Sequence, residues 1–137
     1  MIPNMKPSQM YPNAGPANAI FPQSLAAAAS VTSQFVQLPV GARWAIVSLL
    51  TGALGGGSEQ VDLLQATSAG GAGSKALMTN LRTSAVNNQQ FDDEVNLDSA
   101  LDVNNGFIFV AVKVTNTGGT GAQVAARFAF GPNMYAA

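Results

Sequence analysis

The stretch Phe107-Ile-Phe-Val-Ala-Val-Lys-Val-Thr115 carries the clearest secondary-structure signal in the chain. Its side chains alternate with a period of two, which is the pattern of a β-strand with one side in a core. One face of this strand is wholly apolar and consists of Ile108, Val110, Val112 and Val114. The stretch therefore predicts a long, half-buried strand.

The residues that follow predict a hairpin. Asn116-Thr-Gly-Gly-Thr-Gly121 is a glycine-rich turn, and Gln123–Phe130 alternates again. Its apolar positions are Val124, Ala126, Phe128 and Phe130. We expect this segment to return as the antiparallel partner of the first strand.

Five further segments with strand-like composition precede this pair, and glycine or proline residues separate most of them. They are Val31–Leu38, Arg43–Leu50, Gln60–Thr67, Ala76–Arg82 and Gln90–Leu97. Of these, 76–82 is the weakest and fits either a strand or one turn of helix. Six or seven short strands with glycine turns and no convincing helix predict an all-β fold, a β-sandwich of jelly-roll type over residues 31–137.

Residues 1–30 differ from the rest of the chain. Five of the seven prolines lie within the first 22 residues, and Lys6 is the only charged side chain before Arg43. Proline fixes φ and disfavours helix in the residue before it, so we expect an extended, Pro-rich N-terminal arm without a core of its own. Apolar side chains along this arm need a surface to lie on: Ile2, Met5, Met10, Tyr11, Ile20, Phe21 and Leu25. Two interpretations stay open, a disordered tail and an arm that becomes ordered on a neighbouring subunit.

Charged side chains are scarce. They make up 9% of the residues, against ~25% in ordinary soluble domains, and the net charge is −1. Such a surface generates little repulsion between copies and suits a protein that is packed against neighbours. The six cations are scattered, and no apolar run approaches the ~20 residues that span a bilayer. We therefore predict neither a nucleic-acid nor a membrane partner.

The residue types that most often carry chemistry are missing. The chain has no Cys and no His, which removes thiolate chemistry and the commonest general base and metal ligand. The glycine runs 55–57 and 70–75 lack the residue order of phosphate-binding loops, and no Gly-x-Ser-x-Gly elbow occurs. We therefore predict a non-enzymatic protein with no catalytic residues, no cofactor and no bound metal.

The main concentration of acidic side chains is Asp92-Asp93-Glu94, with Asp98 and Asp102 nearby. On a strand, Asp92 and Glu94 share one face and Asp93 takes the other, so the three do not converge. The cluster can be a solvated strand edge or a metal site. It can also be a site of charge pairing between subunits, with the partners Arg43, Arg82 and Arg127.

Trp44 also leaves two interpretations open. It can be an interface anchor beside the cation of Arg43, or the largest core residue of its strand.

Three phrases carry a resemblance to a known family: Val36-Gln-Leu-Pro-Val-Gly41; Val61–Thr67 with Gly73–Ala76; and Leu101–Phe107. They resemble small structural proteins of tailed bacteriophages, in particular capsid decoration (cement) proteins. The resemblance implies a β-sandwich or jelly-roll module, homo-oligomeric and often trimeric, that binds the major capsid protein and neighbouring copies. It implies a location on the capsid surface of the virion, after synthesis in the host cytoplasm, and no catalytic residues.

The leading hypothesis is therefore a virion structural protein that binds by surface area and stabilises the shell. One alternative is a tail, spike or head–neck component. Another is a receptor- or glycan-binding jelly-roll module, for which the aromatic candidates are Trp44, Tyr11 and Tyr135.

Overall fold

The structure, a computed structural model, describes residues 19–39, 42–98, 100–118 and 121–132. These residues form nine β-strands and one turn of 3-10 helix at Val103–Asn105. The strands are β1 (Ala19–Leu25), β2 (Ser30–Thr32), β3 (Val36–Gln37), β4 (Ala42–Thr51), β5 (Glu59–Ala66), β6 (Lys75–Ser84), β7 (Gln90–Asn96), β8 (Phe109–Asn116) and β9 (Ala122–Pro132).

The strands form two antiparallel sheets that pack against each other. One sheet has the order β1-β9-β4-β7, and the other has the order β2-β8-β5-β6, with β3 also paired to β8. The pairing is nested, because β1 pairs with β9, β2 and β3 with β8, β4 with β7, and β5 with β6. The predicted all-β fold and β-sandwich are confirmed, and the finer jelly-roll type stays a prediction.

The core lies between the two sheets and is filled by alternate residues of their strands. From β8 come Val110, Val112 and Val114, all fully buried, as the alternation predicts. From β9 come Phe128 and Phe130, whose rings meet edge to face with centroids 5.2 Å apart. The inner faces of the two sheets therefore supply one continuous apolar layer.

The predicted hairpin of the last two strands is wrong. β8 pairs with β2, β3 and β5, whereas β9 lies in the other sheet between β1 and β4. The segment after Asn116 therefore crosses from one sheet to the other. A glycine-rich segment is compatible with such a crossing as well as with a hairpin turn. The apolar faces of β8 and β9 contact each other across the core, whereas their hydrogen-bonded neighbours are other strands.

The sandwich includes residues that the sequence assigned to the arm. β1 pairs with β9, and its side chains Ile20 and Leu25 are 4% and 5% exposed. Pro22 is tolerated because β1 is an edge strand and its register shifts between Ile20 and Gln23. Within the described residues the sandwich therefore begins at residue 19, and not at the predicted boundary of residue 31. The rest of the predicted arm, 1–18, lies outside the described residues.

The predicted first strand, 31–38, is interrupted at Ser33. Its backbone N–H donates to the carbonyl of Val112 at 2.9 Å, and its hydroxyl accepts from the N–H of Val112 at 3.0 Å. The Ser33 side chain thus continues the pairing with β8 between β2 and β3. The segment 76–82, which the sequence left open between strand and helix, lies within β6.

A chain that begins at residue 31 should be less stable than one that begins at residue 19 by about 3–6 kcal/mol. The reason is that it loses the burial of Ile20 and Leu25 and uncovers the edge of β9. Urea denaturation followed by circular dichroism measures the difference. Equal free energies of unfolding for the two truncated chains would contradict the place of β1 in the sandwich.

Candidate functional site

The outer face of the four-stranded sheet carries the candidate site. On β4, one of its two inner strands, Ala45, Val47 and Leu49 are buried in the core, so the alternate residues point outward. The outer face consists of Phe21 of β1; Trp44, Ile46, Ser48 and Leu50 of β4; Gln90, Asp92 and Glu94 of β7; and Ala125, Arg127 and Ala129 of β9.

This outer face is apolar and grooved. Five large apolar side chains of the described residues are exposed, and three lie here: Phe21 (63%), Trp44 (40%) and Leu50 (48%). Shallow clefts of ≈ 490, ≈ 410 and ≈ 340 Å³ follow one another across the face and share lining residues. Clustered apolar exposure of this kind marks a surface for another molecule more often than scattered apolar residues do.

One row of the outer face separates opposite charges. Arg127 and Asp92 both lie directly opposite Ser48, on its two sides. The Ser48 hydroxyl donates to Asp92 Oδ1 at 2.5 Å. Within the described parts of the chain, neither Arg127 nor Glu94 forms an ion pair. The row therefore presents a cation on one side, a small hydroxyl in the middle and an anion on the other side.

Three of the charges predicted to pair between subunits instead have partners within the chain, namely Arg82, Asp93 and Arg43. Arg82 of β6 binds Asp93 of β7 in bidentate fashion, with Nε–Oδ2 at 2.5 Å and Nη2–Oδ1 at 2.7 Å. The guanidinium also lies over the ring of Phe91, 4.5 Å from its centroid. Because β6 and β7 are edge strands of different sheets, this pair joins the sheets at one open edge of the sandwich. Hydrogen bonding to Asp93 raises the pKa of Arg82.

The remaining acidic side chains lie apart from one another. Arg43 approaches Asp98 at 3.8 Å, and both side chains are about half exposed. Lys75 donates to Asp102 at 2.5 Å and, with Asn105, lowers the pKa of that carboxyl group. The structure thus divides the predicted acidic cluster among separate partners. No three metal-ligating side chains come together among the described residues.

Trp44 is not a core residue, because its outward position on β4 leaves it 40% exposed. The core interpretation is therefore wrong, and the role of interface anchor stays a prediction.

The predicted arm anchors divide into three groups. Ile20 and Leu25 are buried in the chain's own core, which corrects their assignment as contacts to a partner. Phe21 is exposed on the outer face. The anchors outside the described residues are Ile2, Met5, Met10 and Tyr11.

Glu59 is a buried carboxyl group that the sequence interpretation missed. It begins β5, points into the core like Val61 and Leu63, and has no exposed surface. Neither of its oxygens has a hydrogen-bond partner among the described residues, and burial raises its pKa to about 7. The signal was present, since the alternation of Val61 and Leu63 extends back to Glu59. The predicted strand began one residue too late, at Gln60.

Comparisons with known proteins leave the family of this chain open. No family model matches the chain, and no curated protein matches it. A solved structure titled "Crystal structure of PirA" is similar over 85% of this chain and 97% of its own, with a TM-score of 0.49 and 11% identity. This likeness is too low to support an argument about function. The described residues contain no helix that is long and apolar enough to cross a membrane.

Glu59 should make the stability of the fold fall as pH rises. Between pH 4.5 and about 7, the unfolded chain loses the Glu59 proton while the folded chain keeps it. The free energy of unfolding therefore decreases through this window, and Glu59→Gln should flatten the decrease. Urea denaturation of both proteins across the window measures the effect. An identical pH dependence in the two proteins would show that the buried carboxyl group is not its source.

Arg82→Ala should lower the free energy of unfolding by about 1–3 kcal/mol, because it leaves the partly buried Asp93 without two charge-assisted hydrogen bonds. The matched control is Arg43→Ala, whose exposed 3.8 Å pair with Asp98 should contribute less than about 1 kcal/mol. Chemical denaturation compares the two variants. Equal losses would contradict a special role for the contact between β6 and β7.

Proposed function

We propose that this chain is a non-enzymatic virion structural protein, a capsid decoration (cement) subunit that binds the major capsid protein and neighbouring copies to stabilise the shell. The observation that carries the proposal is the outer face, where Trp44 and Leu50 of the inner strand β4 and Phe21 of the edge strand β1 are exposed. Aromatic and aliphatic side chains on a well-packed element, with few charges among them, are what protein interfaces use at their centres.

The jelly-roll type of the sandwich is part of the proposal. It is supported by the nested pairing of β1 with β9, β2 and β3 with β8, β4 with β7, and β5 with β6, the order that a long hairpin forms when it rolls up. The capsid as the place of action is supported by the resemblance of Val36–Gly41, Val61–Thr67 and Leu101–Phe107 to decoration proteins.

The N-terminal segment supplies a second contact in this proposal. Residues 1–18 directly precede β1, an edge strand of the sheet with the outer face. Extended, this segment reaches ~60 Å, beyond the sandwich itself. Its apolar anchors Ile2, Met5, Met10 and Tyr11 bind the major capsid protein, while the sandwich contacts neighbouring copies.

The exposed ring of Trp44 favours a second candidate, a receptor- or glycan-binding module, because such modules need an aromatic platform on their surface. Binding of soluble glycans that Trp44→Ala abolishes, without any affinity for particles, would select this candidate over the first.

The capsid proposal is tested by adding the purified full-length protein to virions assembled without it and measuring co-sedimentation. The expected copy number is comparable with that of the major capsid protein. A chain that begins at residue 19 should bind particles at least about tenfold more weakly than the full-length protein, because it lacks four apolar anchors. Leu50→Ala removes an exposed apolar side chain of the outer face and should weaken binding. The matched control is Val86→Ala, which removes an exposed apolar side chain outside the outer face and should leave binding unchanged.

The copy number separates the structural alternatives. A few copies per particle would place the chain in the tail, spike or neck. No affinity for particles would overturn the decoration proposal, whether or not the chain associates with itself.

A further inference from the structure

We propose that the outer face binds the outer face of a second copy of this chain. In this dimer a twofold axis lies between the two facing copies of β4, nearly parallel to both, and passes above Ser48. The inference rests on the proposed function, in which the sandwich contacts neighbouring copies. It adds the surface through which a neighbouring copy is contacted.

The sheet register supports this arrangement. Arg127 and Asp92 flank Ser48 on adjacent strands, so their backbones lie at about equal distances of ~4.8 Å on its two sides. A half-turn about an axis parallel to β4 reverses the face and exchanges the two sides. Arg127 of each copy then lies over Asp92 of the other, and the contact occurs twice, as an isologous interface requires.

The charge distribution also selects this axis over the perpendicular one. A twofold axis that crosses the strands at Ser48 would bring Arg127 against Arg127 and Asp92 against Asp92, which like-charge repulsion disfavours. Face-to-face sheets lie ~10 Å apart, a gap that a long guanidinium side chain and a carboxylate can close together. Glu94 lies one row further along the same strand and adds a second anion to the same side.

Apolar contacts complete the interface. Along the axis, the outward side chains of β4 meet their own counterparts, so that Leu50 packs near Leu50 and Trp44 near Trp44 of the second copy. Both side chains are exposed in the single chain, at 48% and 40%. The small hydroxyl of Ser48 between them allows the sheets to approach. The result is an apolar strip with charge pairs on both flanks, the usual anatomy of a protein interface.

The ion pairs within the chain reduce the number of charged side chains that are available for the predicted pairing between subunits. Arg82 and Asp93 bind each other, and Arg43 approaches Asp98. Arg127 and Glu94, by contrast, have no ion pair in the described parts of the chain, and both lie on the outer face with Asp92.

The inferred association is a dimer, whereas the resemblance to decoration proteins implies a trimer.

Charge reversal tests the inference in solution. Sedimentation velocity measures the dissociation constant of full-length wild type, Arg127→Asp, Asp92→Arg and the double variant. Each single reversal places like charges together at two symmetric sites and should raise the dissociation constant at least about tenfold. The double variant restores opposite charges and should recover most of the affinity. Lys113→Asp, a comparable charge change on a strand of the other sheet, should leave the dissociation constant unchanged.

The outcomes separate this inference from the proposed function. Circular dichroism and urea midpoints establish that each variant is folded. A monomeric wild type, or a double variant no tighter than the single ones, overturns the inference. An oligomer whose dissociation constant is unchanged by the single charge reversals also overturns the inference. If such a protein still binds virions, the decoration proposal stands alone. A charge-dependent dimer without affinity for virions supports the inference and overturns decoration.

Discussion

The structure depends on one constraint, the burial of one face of each sheet against the other. Because strand side chains alternate, this burial decides both sides of every strand at once. On β8 it places Val110, Val112 and Val114 in the core, and on β9 it places Phe128 and Phe130 opposite them. All connections except β2–β3 and β5–β6 cross from one sheet to the other, so that most consecutive strands cover each other's apolar faces across the core.

The same constraint creates the outer face. Once Ala45, Val47 and Leu49 are buried, Trp44 and Leu50 must point away from the core. At one edge of the sandwich the two sheets are joined by a charged contact within the chain, between Arg82 and Asp93. The core also accepts one carboxyl group, Glu59, which keeps its proton to a higher pH than an exposed acid would. The stability of the fold therefore depends on one side of these strands, and the proposed association uses the opposite side.

The sequence predicts what depends on local periodicity and misses what depends on neighbours in space. β4, β5, β7 and β8 were predicted because alternation identifies a strand without knowledge of its partner. β1 was missed because Pro22 argues against a strand until the strand is known to be at an edge. The acidic cluster could be named from the sequence, but its division could not. Whether Asp93 meets Arg82 depends on which edge strands lie together, and the position of Arg127 beside Ser48 depends on sheet order.

The central claim, that the outer face is an association surface with its axis above Ser48, is tested most directly by site-specific cross-linking. The chain has no cysteine, so Ser48→Cys introduces a single thiol for a short bis-maleimide reagent. Thr83→Cys, on an exposed position of the other sheet, is the matched control. The account predicts covalent dimers for Ser48→Cys and monomers for Thr83→Cys under the same conditions. Equal yields at both positions, or no dimer at Ser48→Cys, would contradict it.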